Sequence, residues 1–332
     1  MNRTKIPAKQ EDGSTKIRTL VNYLTEAMGS GTFAEGGQLP SLNEVSRQTG
    51  FSRDTVAKAY AILKARDLIE SVPAKGFFVK GQTRRIFMLL DDFSSFKEQL
   101  YQAFRENLPD LWTVDLLFHH YNEEIFDQLV RNAAGRYNMY VVMNISNRKL
   151  HPVLKEIDPA RLLILDMGSG ERPETNYLLQ DFDEAVEICL EGGIDRIKKY
   201  RQVIMVWSAR KTPHPPETIS AVRRFCRIHD LGFKLIPEAD EKMIQPGHLY
   251  FVIRESDLVK VVKACQDRQL VPGQDVGILA YNDTPMKEIA GNGITVISVD
   301  FREMGKKAAG FVTTRQRIRE FLPSSLLIRQ SL

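Results

Sequence analysis

The chain has 332 residues, with 46 Lys and Arg against 42 Asp and Glu, giving a net charge of +4. Its length suits two or three domains, and 43% hydrophobic with 27% charged residues is the balance of a soluble globular protein. No apolar run reaches the roughly 18 residues a membrane helix needs. Met1 to Ser14 has neither an apolar stretch nor a small-residue cleavage site, so no secretion signal and a cytoplasmic location are expected. Cys189, Cys226 and Cys265 lie far apart without a CxxC pair, consistent with reduced thiols.

Charge is unevenly spread. Residues 1–85 hold 14 Lys and Arg against 8 Asp and Glu, net +6, which leaves the remainder 32 against 34, net −2. A basic head on a slightly acidic body fits a head that meets a polyanion.

In chain order, Ile17, Leu20, Leu24 and Met28 recur every three or four residues and predict a helix over Lys16 to Ser30. Glycines at 29, 31, 36 and 37 break it. Ser41-Leu42-Asn43-Glu44 has capping-box spacing and opens a short second helix ending near Thr49-Gly50. Ser52 caps a third helix, with Val56, Ala59, Tyr60 and Leu63 inward and Asp54, Lys58 and Ala61 outward. Leu68 to Val72 and Phe77 to Val79 read as two strands around the turn Pro73-Ala74-Lys75-Gly76. Helix, helix, turn, helix and hairpin is a winged helix-turn-helix (α+β) over residues 1–80, followed by a polar, basic linker at 81–85.

Beyond the linker, apolar strand candidates alternate with helical stretches. The strands are Ile86–Leu90, Val114–Phe118, Met139–Met143, Leu162–Leu165, Tyr177–Leu179, Val203–Val206, Lys234–Ile236, Leu249–Ile253, Val276–Ala280 and Thr295–Val299. Helices are expected at Phe96–Leu108, Ile125–Ala134, Ala185–Gly192, Thr218–His229, Leu258–Arg268 and Met304–Thr314. Alternation of this kind predicts parallel sheets covered by helices, here an α/β body of two doubly wound subdomains over 86–332.

Leu39-Pro40-Ser41, Gly50-Phe51-Ser52-Arg53, Thr55-Val56, Leu68-Ile69 and Gly76 with Phe78-Val79 fall on one pattern of residue type and spacing. Over about residues 15–80 the chain resembles the GntR family of regulators. The resemblance implies a recognition helix with its N-terminal residues on base edges. Arg53 offers a donor fork for guanine O6 and N7. Ser52, Thr55 and the helix start suit phosphates. Asp54 and Lys58 lie on the outward face, Ser41 at the second helix start, and Lys75 and Gly76 at the wing tip. Asn43 stands where fatty-acid-type members carry arginine, and Ala57 replaces another, so a different operator is expected.

The body resembles the LacI/GalR effector domain, a periplasmic-binding-protein-like fold, most closely from Leu249 to Thr313. Gln269-Leu270-Val271-Pro272-Gly273-Gln274-Asp275-Val276-Gly277-Ile278, Tyr281-Asn282-Asp283-Thr284 and Asp300-Phe301-Arg302-Glu303-Met304-Gly305 carry the likeness, and Asp181 to Ala185 resembles the crossover into the second lobe. A GntR-like head on such a body is similar in layout to the arabinose repressor of bacilli. The resemblance implies subdomain 1 at about 86–183 and 301–318, and subdomain 2 at about 184–300 and 319–332. The lobes of this fold close on a ligand at the carboxyl ends of their strands. Strand ends here supply Asp91, Asp92, Phe93, Asn144, Asp166, Trp207, Arg254 and Asn282. Asn282 and Asp166 align with ligand-binding positions of the family, and Arg254 falls near another.

His119-His120 lacks further ligands at metal spacing, Gly168-Ser169-Gly170 lacks the Lys-Ser/Thr of a phosphate loop, and no catalytic arrangement stands out. No cofactor, metal or enzymatic activity is expected. The expected partners are double-stranded operator DNA, a small effector of monosaccharide type and a second copy of the chain, since one winged helix reads one half-site. A sensor whose effector is not a sugar stays open as the alternative.

Overall fold

The fold is described from a computed structural model, covering residues 16–29, 32–34, 36–66, 68–73, 75–80, 84–146, 149–168, 173–209 and 214–332. The chain divides into two compact units. One runs to Arg84 and takes in Asp110–Thr113; the other holds Arg85–Pro109 and Val114–Leu332.

The first unit is a winged helix-turn-helix. Its elements are α1 (Lys16–Gly29), α2 (Leu42–Thr49), α3 (Arg53–Ala65), β1 (Ile69–Val72) and β2 (Gly76–Val79). At Ser41 the capping box closes in both directions: the hydroxyl accepts from the Glu44 amide at 3.3 Å, and the Glu44 carboxylate accepts from the Ser41 amide at 2.8 Å. Gly50 ends α2 at φ 69°, a left-handed conformation that a Cβ resists. Ser52 then caps α3. Leu24, Val45, Val56 and Leu63 are fully buried, each contributing roughly 1.5–3 kcal/mol of transfer free energy. The wing strands pair antiparallel from Ile69 opposite Val79 to Val72 opposite Gly76.

The second unit contains two six-stranded sheets. In chain order its elements are β3 (Arg84–Leu90), α4 (Ser95–Glu106), β4 (Trp112–Phe118), α5 (Glu123–Ala133), β5 (Met139–Val142), β6 (Leu162–Asp166), β7 (Asn176–Gln180), α6 (Glu184–Gly192), α7 (Ile194–Ile197), β8 (Gln202–Val206), α8 (Glu217–Ile228), β9 (Gly232–Ile236), β10 (His248–Val252), α9 (Glu255–Asp267), β11 (Gly277–Tyr281), α10 (Pro285–Ile289), β12 (Thr295–Ser298), α11 (Phe301–Thr314), β13 (Arg319–Leu322) and β14 (Ser325–Leu327). The first sheet runs β13-β7-β6-β5-β3-β4 and the second β14-β12-β11-β10-β8-β9. Within these two sheets, only β14, against β12, is antiparallel among the described pairings. Central strands such as β5, β6 and β11 are buried on both faces, which is why they read as continuous apolar runs.

The chain crosses between lobes three times: after β7, after β12 and after β13. The expected last crossing at residue 318 needs correction. Residues 319–322 form β13, paired in parallel with β7 in the first sheet, so the return falls after Leu322. Helix α11 belongs with the first lobe. It packs on α4 so closely that a Cβ at Gly305 would lie 2.2 Å from the Leu100 carbonyl, and the Phe96 and Phe301 rings meet at 4.6 Å. Among the described residues no helix is long and apolar enough to cross a membrane.

Candidate DNA interface and effector cleft

In the head, Ser52 accepts the Thr55 amide at 3.2 Å, and the two hydroxyls lie 2.8 Å apart. That bonding shapes the helix start and leaves Arg53, the first residue of α3, exposed. Asp54 and Lys58 are also exposed and pair along the helix at 2.9 Å. Asn43 is exposed on α2, and the Ser41 hydroxyl also donates to Glu44 at 2.8 Å. Lys75 and Gly76 form the tip of the wing, Gly76 at φ 108°.

Two residues outside the expected set shape this surface. Tyr60 on α3 donates to the Pro40 carbonyl at 2.7 Å and sets its ring edge-on to Phe77 at 4.9 Å, so one side chain ties the recognition helix to the start of α2 and to the wing. Gln38 donates its amide to the Lys75 carbonyl at 2.6 Å. Tyr60 was legible only as core, and nothing in the spacing marked Gln38.

In the body, the carboxyl ends of the strands gather a buried polar group. Lys97, on α4, is buried and pairs with both Asp91 and Asp92. Burial lowers the ammonium pKa, but the two carboxylates outweigh it and hold it above the ordinary value. Tyr121 donates to Asp91 at 2.5 Å, and burial followed by the Asp91 charge pushes its phenol far up. Asp166, at the end of β6, adopts φ 64° and accepts the Gln180 amide at 2.5 Å. Burial lifts its carboxyl to about 6, with Asp91 adding to the rise and the Gln180 bond opposing it. A strained residue of raised pKa at a strand end is the pattern of a functional position.

Across from it, Tyr281 is buried and feels the Asp166 charge. Asn282 follows at φ 57°, its amide donating to the Ile297 carbonyl at 2.9 Å. Lys287 donates to the carbonyls of Tyr281 and Asn282 at 2.9 and 2.6 Å and braces that turn. Met167, Phe182 and Tyr281 share one buried cluster, against which Tyr121 and Trp207 pack. The Trp207 indole donates to the His214 carbonyl at 3.2 Å.

Asp91 and Asp92 are thus in electrostatic reach of Asp166, and Asn282 is next in sequence to Tyr281, which feels the Asp166 charge. Three other expected residues make no side-chain hydrogen bond, ion pair or ring contact with that group among the described residues, although the Asn144 backbone amide donates to the carbonyl of Met167, next to Asp166, at 3.3 Å. Asn144 is buried and committed to its own loop: its amide donates to the carbonyls of Ser146 and Lys149, and its oxygen accepts the His151 amide at 3.1 Å. Arg254 donates to Asp257 at 2.8 Å, and the other Asp257 oxygen accepts the Ala239 amide at 3.0 Å, so the pair fastens α9 to the preceding loop. Phe93 is 67% exposed and meets Phe118 edge-on. Lys97, Tyr121, Gln180 and Tyr281 were not anticipated. One signal could have found Lys97: it occupies the apolar stripe of α4 with Leu100 and Phe104, where a lysine needs a buried counter-charge.

A winged helix ahead of two parallel-sheet lobes defines a two-module architecture. Within it, residues 16–79 match the gntR family of bacterial regulatory proteins, and residues 198–332 match the periplasmic binding protein-like domain. The chain therefore joins a gntR-type helix-turn-helix head to a periplasmic-binding-protein-like body. It is similar to the HTH-type transcriptional repressor MelR of Bacillus subtilis, 29% identical over 108 residues, 30% of each chain. It also resembles the HTH-type regulator YcxD of the same organism, 36% identical over 64 residues, 19% of this chain and 14% of that one. The matches thus span under a third of those relatives' length. Among solved structures, a LacI family transcriptional regulator from Lactobacillus casei with bound glucose superposes with a TM-score of 0.61 at 16% identity, over 75% of this chain and 100% of that one. The trehalose repressor of Escherichia coli does so at 0.58 and 13%, over 74% and 100%.

Proposed function

We propose that the chain is a cytoplasmic transcriptional regulator whose head, residues 1–80, binds an operator and whose body binds a small hydroxyl-rich effector; the linker expected at 81–85 gives up Arg84 and Arg85 to strand β3, so the body begins before residue 86. The carrying observation is the start of α3: a capped helix N-terminus with Arg53 and Lys58 in water, in a head of net positive charge. Arg53 reads a guanine edge, Asn43 an adenine edge or a phosphate, Ser41, Ser52, Thr55, Lys58, Lys75 and Gly76 meet the DNA backbone, and Asp54 tunes the charge of that face. The chain acts as a homodimer on two half-sites related by two-fold symmetry.

The effector lies among Asp91, Asp92, Asp166 and Asn282, with Trp207 as an apolar wall and Asn144, Arg254 and Phe93 at the margins. Carboxylates and amides at strand ends suit a ligand that donates several hydrogen bonds, and the L. casei regulator of the same fold holds glucose or sucrose. MelR bears the name of a repressor, so repression of carbohydrate-utilisation genes is the reading adopted. Lobe closure couples effector and operator through one equilibrium, reciprocal between the two sites.

The test is a mobility shift of the full chain on duplexes drawn from its own upstream region, with and without glucose and sucrose. Retarded DNA whose affinity falls steeply with salt and changes with sugar is the expected result. Absence of DNA binding at every salt concentration would sink the proposal.

A further inference from the structure

The wing of the head is held by a segment outside the hairpin. Residues 36–39, just before α2, run alongside β2: the Gly36 amide donates to the Val79 carbonyl at 3.0 Å, the Val79 amide to the Gly37 carbonyl at 2.9 Å, and the Leu39 amide to the Phe77 carbonyl at 2.8 Å. Gln38 sits opposite Phe78 in that ladder. Its side chain continues past the paired backbone to the wing tip, where the amide donates to the Lys75 carbonyl at 2.6 Å. The next residue is Gly76, and a Cβ built there would lie 3.3 Å from the Gln38 amide nitrogen. The tip is therefore shaped around the Gln38 amide, and the glycine leaves it room.

The bond is exposed. Exposed hydrogen bonds exchange with water and add little to folding. What this one does is remove freedom from a hairpin tip, the part of a two-stranded ribbon least constrained by its own pairing. Lys75 is exposed on that tip. A lysine on a loose tip loses conformational entropy of both backbone and side chain when it docks on a phosphate, and a tip fixed beforehand loses less.

We propose that Gln38 is a positioning residue for DNA binding: it fixes the Lys75 carbonyl and so aims the Lys75 ammonium and the Gly76 backbone at the sugar-phosphate chain. Gln38 acts through Lys75, not as a phosphate contact of its own. The inference rests on the DNA-binding reading of the head.

The experiment is a titration of the full chain against a fluorescent duplex that the wild-type protein has selected from a random library, repeated over a series of salt concentrations. Wild type, Q38A, Q38M, K75A and Q38A/K75A are compared. Q38M keeps the length and packing of the side chain without the donor, so it reports on the hydrogen bond even if Q38A disturbs the ladder. Both Gln38 variants are expected to melt with the wild type and to bind about three- to tenfold more weakly, the size of one hydrogen bond. Their salt slope is expected to fall by up to about one, as for the loss of one phosphate contact, although glutamine carries no charge. The double variant is expected to bind no more weakly than K75A alone, the non-additivity of residues that act as one. Wild-type affinity in Q38M, or losses that multiply in the double variant, overturns the proposal while leaving the DNA-binding reading intact. A wild-type chain that selects no duplex overturns that reading itself.

Discussion

In the head, Arg53, Lys58 and Lys75 stand in water. In the body, Lys97 and Lys287 are each 3% exposed, as Asp91, Asp166 and Asp257 are also buried. The two regions use ionised side chains in opposite ways. A surface for a polyanion is built by leaving cations solvated, with their counter-charges few or weakly held, because the gain comes from releasing the counterions of the partner. On the proposed reading, a cleft for a small polar ligand buries charges against one another, as Lys97 is buried against Asp91 and Asp92, so that direction and protonation are set before the ligand arrives. The difference has an energetic signature: changes in the head alter binding and spare folding, while changes in the body alter folding first.

The largest effect that would test this contrast is at Lys97. Replacing it with methionine leaves Asp91 and Asp92 without the ammonium that both now share. Breaking a buried pair from one side costs about 3–5 kcal/mol, which corresponds to a drop on the order of 10 °C in the melting of a unit this size. Calorimetry should show the body's transition moving and the head's staying in place. If the body of K97M melts with the wild type, the pair is not buried in the sense argued.

Asp166 comes next, and its sign is opposite. Its folded pKa, about 6, lies above the roughly 3.9 of an unfolded aspartate. Between pH 4 and 6 the native state holds more protons than the unfolded one, so stability falls as pH rises through that window. By pH 7 the ionised, desolvated carboxylate carries a penalty on the order of 3 kcal/mol. Asp166→Asn is expected to be more stable than the wild type at pH 7, to flatten the pH dependence between 4 and 6, and to lose the response to effector. Denaturant titrations at several pH values check it; an unchanged slope in D166N would show that another group carries the titration.

Arg53→Ala is expected to spare the melting of both units and to weaken selected DNA by about 1–3 kcal/mol, or roughly five- to 150-fold, with preference relaxed at one base pair. Equal weakening on selected and unselected duplexes would reassign Arg53 to phosphate contact.

The same contrast explains what was legible in the sequence. Head elements came through nearly residue for residue, because caps and glycines write their positions locally: the capping box at Ser41 and the left-handed Gly50 bracket α2. Central body strands were legible as apolar runs because both of their faces are covered. Strand β13 was not, since as an edge strand it leaves Arg319 and Phe321 exposed and buries only Leu322 fully, with no periodicity to read. At the cleft, strand ends located Asp91, Asp92, Asp166 and Asn282. Their partners come from elsewhere in the chain: Tyr121 reaches Asp91 across 30 residues of sequence and Gln180 reaches Asp166 across 14. The commitments of Asn144 to its loop and Arg254 to Asp257 follow from short-range geometry that residue type does not reveal.

The smallest effect discriminates most finely, because it separates an ion pair that supports folding from one that only tunes a surface. Asp54 and Lys58 pair at 2.9 Å with side chains 75% and 62% exposed. Such i,i+4 pairs contribute about 0.3–0.5 kcal/mol. Asp54→Asn should therefore leave the head's melting almost unchanged, a shift of at most about 4 °C for a unit of this size. Its effect on DNA should be favourable, since the change removes a carboxylate from the face of the recognition helix and frees Lys58 for a phosphate. Affinity should rise, and the salt slope should steepen by up to about one. The opposite outcome, weaker binding with lost base preference, would mean that Asp54 itself accepts from a base edge, as a carboxylate can from cytosine N4. The division between the regions would then blur, because at least one charge in the head would be placed as exactingly as those in the cleft.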